Sequence, residues 1–315
     1  MIDPTANTFA YRLIRRIPDS RFGFSFMHAV SRLQGMAKPA GLEIETVAVP
    51  RRTGGGSVRT IVVRPKNAAK DLPVMVHLHG GGHVVGVPEQ DLAWMKRYID
   101  ARPCVFVAPD YRRAVQAPFP AGIKDCYDAL LWARDNAVRL GGRSDQIMLH
   151  GESAGGGLTA GLALMARDRG DVAVACQFPI YGMFDDREEN YTACDDSVLS
   201  WTRGKNILAW KICLGDLAGR DEEVPAYAAP ARAEDLAGLP PAIGYVGDQD
   251  LFHDENVSFF ERLSRAGVPT EFTVINGAYH GAEIMAPDSQ VGRASWDFIL
   301  DAYKRAVDRY TAPQD

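Results

Sequence analysis

The sequence predicts an α/β protein: a mostly parallel sheet with helices on both faces. Three observations predict it. From residue 74 onward short apolar runs alternate with stretches of helical spacing, the pattern of repeated βα units. Glycine clusters at 80–82, 141–142 and 155–157 punctuate the alternation. The chain has 315 residues, 46% of them hydrophobic and 24% charged, a globular balance. A chain of this length can bury ~75% of its unfolded surface, so it needs no disulfide or metal staple.

In chain order, residues 1 to about 42 read as helical and carry Phe9, Tyr11, Phe22, Phe24 and Phe26. Two strands, Glu43 to Val49 and Val58 to Arg64, flank Gly54-Gly55-Gly56 and read as an antiparallel hairpin. Val74 to Leu78 is a buried strand, followed by glycines and a helix through Trp94 and Tyr98. Cys104 to Ala108 is the next strand. The helix of Ala121 to Leu140 follows, with Ile123, Cys126, Leu130, Ala133 and Ala137 on one face. Gln146 to Leu149 leads into a small-residue helix ending near Asp168. Strands are expected at Val172 to Phe178, Ile243 to Val246 and Glu271 to Ile275, and helices at Asp254 to Ala266 and Ser289 to Ala306. Residues 183–225 interrupt the alternation with an acidic loop and then Trp201, Ile207, Trp210 and Ile212 at helical spacing. The chain therefore reads as one domain, 1–315, with a cap formed by about 1–42 and 183–225 over one edge of the sheet.

Composition narrows the function. Lys plus Arg is 35 and Asp plus Glu is 40, a net −5, which offers polyanions no field and argues against a nucleic-acid partner. The five cysteines (Cys104, Cys126, Cys176, Cys194, Cys213) are scattered, with no C-x-x-C pair, and read as buried thiols of a reducing compartment. No apolar run approaches the ~20 residues of a membrane span. The start, Met1-Ile2-Asp3-Pro4, lacks a secretion signal. A cytoplasmic protein without stable membrane association is expected, and no amphipathic stretch announces a lipid surface. A homo-oligomer is compatible with the sequence, which leaves that state open.

Chemistry concentrates in a few places. Gly151-Glu152-Ser153-Ala154-Gly155 is a G-x-S-x-G pentapeptide between an apolar strand and a small-residue helix. A strand-to-helix turn sharp enough to expose the serine hydroxyl crowds the neighbouring backbones, hence the small residues on either side. The competing reading, a phosphate-binding turn, lacks both G-x-G-x-x-G and G-K-[ST]. His79-Gly80-Gly81-Gly82 ends an earlier strand, where glycines let amides converge on one point. Acyl transfer needs such donors for its oxyanion, and Gly81 and Gly82 with Ala154 are the candidates. His77, His79 and His83 permit a zinc reading, but the segment has no carboxylate or cysteine to complete a tetrahedron, so no metal is expected.

A serine nucleophile needs a base and a group to orient it. Among seven histidines, His28, His150 and His253 lie in other contexts. His280 sits in a loop just past the last strand, where the order Ser…Asp…His places the base. The acid belongs on the loop after the preceding strand, where position alone permits Asp248 or Asp250.

Together, His79-Gly80-Gly81-Gly82, Asp110-Tyr111-Arg112, Gly151 to Gly156, Asp250-Leu251-Phe252-His253-Asp254-Glu255-Asn256 and Tyr279-His280-Gly281 resemble the hormone-sensitive-lipase-like (bacterial family IV) carboxylesterases of the α/β-hydrolase fold. The resemblance covers about residues 45 to 310. It implies an eight-stranded sheet, a helical cap and a Ser-Asp-His triad without a cofactor: Ser153, Asp250 and His280, with Gly81, Gly82 and Ala154 as oxyanion donors. Asp254 is left to N-cap the following helix. Two departures stand out. Glu152 replaces the commoner Asp, and Arg113-Ala114-Val115-Gln116 replaces the usual Leu-Ala-Pro-Glu. The implied activity is hydrolysis of small to medium acyl esters, with a small-molecule ester as partner. A lactone, amide or carbamate hydrolase would use the same triad. A non-catalytic receptor, like the plant gibberellin receptor that resembles this family, would lack the histidine that His280 supplies.

Overall fold

The computed structural model describes residues 2–67, 69–192 and 195–314. Cys194, one of the five expected thiols, lies outside them. Two short helices, α1 (Phe9–Ile14) and α2 (Arg21–Gln34), precede the sheet, N-capped by the side chains of Thr8 and Ser20. Strands β1 (Leu42–Pro50) and β2 (Ser57–Pro65) then pair antiparallel, with Pro50 opposite Ser57. Gly54, Gly55 and Gly56 turn the hairpin at φ of 81°, 72° and 74°, values that favour glycine.

The remaining units are β3 (Leu72–Leu78), α3 (Leu92–Ala101), β4 (Val105–Pro109), α4 (Ala121–Asn136), β5 (Gly142–Glu152), α5 (Ala154–Arg169), β6 (Cys176–Ile180), α6 (Arg203–Leu214), β7 (Ala242–Gly247), α7 (His253–Arg265), β8 (Thr270–Ile275), α8 (Ala282–Met285) and α9 (Gln290–Arg309). The sheet has eight strands in the order β1-β2-β4-β3-β5-β6-β7-β8. β2 runs antiparallel to both its neighbours, β1 and β4, and the other neighbouring pairs are parallel. Strand alternation sends Val74, Val76, Leu78, Ile147 and Leu149 to one face, against α4, α5 and α7. Met75, Phe106 and Met148 go to the other, against α3 and α9. The expected face of α4, Ile123 to Ala137, is the one buried.

The chain leaves β3 in one direction and returns past it to β5, so a crevice opens beyond the C-terminal ends of these adjacent strands. Their register, His77 opposite His150 and Leu78 opposite Gly151, sets the glycine loop of one beside the serine turn of the other.

Two local expectations need correction. The strand expected at Val172 begins only at Cys176, because Ala173 is held by the C-terminal tail. Its amide donates to Gln314 Oε1, and its carbonyl accepts from Gln314 Nε2. Asp254 is not an N-cap: α7 starts at His253, which places Asp254 in its first turn, where a carboxylate still favours the helix dipole. No helix among the described residues is long and apolar enough to cross a membrane.

Candidate active site

Ser153 is the hinge between β5 and α5, held at φ 59° and ψ −123°. A Cβ on Gly155 would overlap the Leu78 carbonyl oxygen, and one on Gly151 would overlap Gly155. The small residues therefore let the turn press against β3 while the serine points outward. Strain of this kind costs on the order of 1–3 kcal/mol and is sustained by the surrounding packing.

The structure brings three of the expected side chains together. His280 Nε2 lies 2.8 Å from Ser153 Oγ, and His280 Nδ1 lies 2.8 Å from Asp250 Oδ2. Asp250 is fully buried, and its other oxygen accepts from the Phe252 amide at 2.9 Å. The imidazole is set edge to face against Tyr181 and Phe252, with ring centroids 4.9 and 5.0 Å away. Asp248, the other candidate acid, faces elsewhere: its carboxylate accepts from the Gly277 amide at 2.6 Å and ties down the start of the histidine loop.

Gly81 and Gly82 follow β3 at φ of 120° and 58°. Their amides form no hydrogen bond among the described residues, and the Ala154 amide is an orphan donor at the first position of α5. Gly80, which precedes the two glycines, lies against the serine turn: a Cβ there would come 3.4 Å from the Ser153 Cβ. A Cβ on Gly82 would run into the Trp201 indole, so that ring packs directly on the loop.

Behind the loop sit groups that sequence reasoning left unassigned. Glu152 Oε1 accepts from the Gly80 amide at 2.7 Å. Burial, and next the nearby Asp91 carboxylate, push the Glu152 carboxyl well above its ordinary range. His77 Nδ1 lies 2.8 Å from His150 Nδ1, and His77 Nε2 lies 3.0 Å from Asp91 Oδ2. Burial, then His77, hold the His150 imidazole well below its usual range. His77 and His150 are far apart in sequence and meet only through the β3–β5 register, which no local motif reveals. Ligand atoms of His77, His150 and Glu152 fall within 4.8 Å of one another. However, both nitrogens of His77 already have hydrogen-bond partners, and Glu152 Oε1 is taken by Gly80. The three histidines weighed for zinc separate: His79 stacks on Tyr111 at 4.2 Å and His83 lies against Trp210 at 5.6 Å.

Tyr111 and Arg112 brace the same region. The Tyr111 hydroxyl donates to the His79 carbonyl at 2.7 Å, and Arg112 pairs with buried Asp125. Of the unusual 113–116 segment, Ala114 donates its amide to the His83 carbonyl and Val115 is exposed. The brace thus survives the altered sequence. Glu255 and Asn256 clamp the chain after β6: Glu255 accepts from the Phe184 amide at 2.7 Å, and Asn256 bonds both the amide and carbonyl of Gly182.

The Glu152–Gly80 bond gives one expected result. Glu152→Gln keeps the acceptor and should keep kcat within about threefold, whereas Glu152→Ala strands a buried amide, a loss of about 1–3 kcal/mol, and should lower kcat about tenfold or more. A carboxyl raised on folding stabilises below its unfolded pKa, and that stability is lost as pH rises through the folded value. The thermal stability of Glu152→Gln should therefore gain on the wild type as pH rises above the ordinary carboxylate range. A pH series of melting curves checks it.

A strained serine at a strand–helix turn, bonded to a histidine that is bonded to a buried carboxylate, defines the serine-hydrolase class of α/β-hydrolases. Residues 75–284 match the Abhydrolase_3 family model, described as an alpha/beta hydrolase fold. The carboxylesterase NlhH of Mycobacterium tuberculosis is 32% identical over 290 residues, 89% of each chain. An arylesterase of Saccharolobus solfataricus is 33% identical over 66% of this chain and 67% of its own. Among solved structures, a bacterial heroin esterase superposes with a TM-score of 0.86 at 31% identity, covering 97% of this chain and 98% of its own. The chain belongs to the hormone-sensitive-lipase-like branch of the α/β-hydrolase fold family.

Proposed function

We propose that this protein is a carboxylesterase that hydrolyses small to medium, uncharged acyl esters through an acyl-enzyme on Ser153. The observation that carries the reading is the pair of 2.8 Å contacts from Ser153 through His280 to Asp250. Ser153 Oγ attacks the acyl carbon as its proton passes to His280 Nε2. Asp250 holds the imidazole in the tautomer that bears its proton on Nδ1. The amides of Gly81, Gly82 and Ala154 stabilise the oxyanion, donors worth about 10²–10³ in kcat each in acyl transfer. His280 returns the proton to the leaving alcohol, and water repeats the sequence on the acyl-enzyme. No cofactor takes part in these steps.

We read residues 1–42 and 183–225 as a cap that shapes the pocket. Phe24 stacks on Trp201 with centroids 6.1 Å apart, and Tyr11 stacks on Tyr279, next to His280, at 4.1 Å. Asp19 bonds both buried Lys205 (2.8 Å) and Thr202 (2.9 Å), which joins the two segments. Burying an aromatic side chain contributes about 1.5–3 kcal/mol. Removal of residues 1–40 should therefore raise KM for longer acyl chains about tenfold or more while sparing the triad. An unchanged chain-length profile in the truncated protein would count against the cap. Cys104, Cys126, Cys176 and Cys213 are free and buried, and burial pushes the Cys104 and Cys213 thiols up to about 12, which suits a reducing cytoplasm.

The experiment is turnover across p-nitrophenyl esters from acetate to laurate, with lactones and anilides alongside. Highest kcat/KM on a short or medium ester is expected. Turnover of lactones or anilides but of no ester would overturn the assignment.

A further inference from the structure

The aromatics of the N-terminal segment divide between two faces, and the cap uses only one of them. Tyr11 and Phe24 are each 2% exposed, whereas Phe22 is 76% exposed, Phe26 46% and Leu33 66%. With Val30, these last three recur at spacings of four, four and three, one continuous stripe on the outer side of α2. Phe9 and Leu13 on α1 and Met36 beyond α2 are exposed as well. Seven of the eleven large hydrophobic side chains exposed among the described residues thus fall within 28 consecutive positions. Exposed apolar surface this concentrated marks an interaction site.

Charge identifies the partner. Residues 1–42 hold six Lys or Arg against two Asp, a net +4 on a chain whose total is −5. Arg21 and Arg32 fall together along one border of the α2 stripe. Arg12, Arg16, Arg21, Arg32 and Lys38 make no ion pair among the described residues. Asp19 is occupied by Lys205, and Asp3 by Thr5 and the Val291 amide. A second copy docked by two-fold symmetry would set these cations against their own counterparts. An anionic lipid surface would complement them while accepting the phenylalanines.

We propose that the outer face of α1 and α2 docks reversibly on anionic lipid surfaces, with Phe22, Phe26 and Leu33 entering the headgroup region and the flanking arginines meeting lipid phosphates. Two short helices and a few cations give weak, salt-sensitive adsorption rather than anchoring, so the protein remains without stable membrane association. This proposal stands apart from the esterase assignment, because vesicle binding is read without turnover.

The test is co-sedimentation of the full chain with vesicles of phosphatidylcholine alone or mixed with phosphatidylglycerol, at low and high salt. Binding to the mixed vesicles only, weakened about tenfold or more by high salt, is expected. Phe22→Ser/Phe26→Ser should lose about tenfold or more of that binding while its kcat on a water-soluble ester stays within about twofold of wild type, since neither residue belongs to the buried cluster that packs Phe24 with Trp201 and Ala154. Equal binding by the double variant, or no binding to the mixed vesicles at low salt, would overturn the proposal. So would a dimer in sedimentation velocity that the double variant abolishes, because the face would then belong to a second copy.

Discussion

Ser153→Ala is expected to leave a folded protein whose kcat on a chromogenic ester is lower by ~10⁴-fold or more, because the triad members act as a unit. The residual rate would come from the oxyanion donors and from binding, which do not need the hydroxyl. The substitution removes one oxygen from a residue that is only 8% exposed, at a turn whose glycines already satisfy the packing. The melting temperature should therefore stay close to the wild-type value. Retention of more than about a tenth of wild-type kcat would remove Ser153 from the nucleophile's role, since loss of a true triad nucleophile costs orders of magnitude more.

The second large effect separates two aspartates on one loop. Asp250 reaches His280 Nδ1 at 2.8 Å, and Asp248 reaches the Gly277 amide at 2.6 Å. An amide in place of the carboxylate that orients the base favours the wrong imidazole tautomer, a loss of ~10⁴-fold in the serine-protease case. Asp250→Asn should therefore collapse kcat. Asp248→Asn keeps an oxygen that can accept from Gly277, so it should stay within about tenfold of wild type. Active-site-normalised kcat for the two variants decides it, and an exchange of phenotypes would transfer the acid's role to Asp248.

The parts of the site that depend on local backbone chemistry were legible in the sequence. A serine flanked by glycines, a glycine run after a strand and a histidine past the last strand each announce themselves within a few residues. The choice between Asp248 and Asp250 was not a matter of position, because both follow β7. It is made by which carboxylate turns inward, and resemblance to the family's D-x-x-x-D-E spacing, from Asp250 to Glu255, favours Asp250. The His77–His150–Asp91 cluster was invisible because strand register assembles it across the sheet. Position in the chain alone does not divide the aromatics of residues 9–26 between faces. The helical period of α2 splits them, since Phe24 lies on the opposite side from Phe22 and Phe26. The late start of β6 and the placement of Asp254 inside α7 both depend on partners remote in sequence, Gln314 and Thr192.

The central claim is that catalysis passes through a covalent acyl group on Ser153. Intact-mass and peptide mass spectrometry after quenching the reaction with p-nitrophenyl acetate test it most directly. One acetyl group per chain, localised to Ser153, formed as fast as the first turnover and absent from Ser153→Ala, is the predicted result. Full turnover with no acyl adduct under the same quench, or an adduct on another residue that turns over at the catalytic rate, would contradict it.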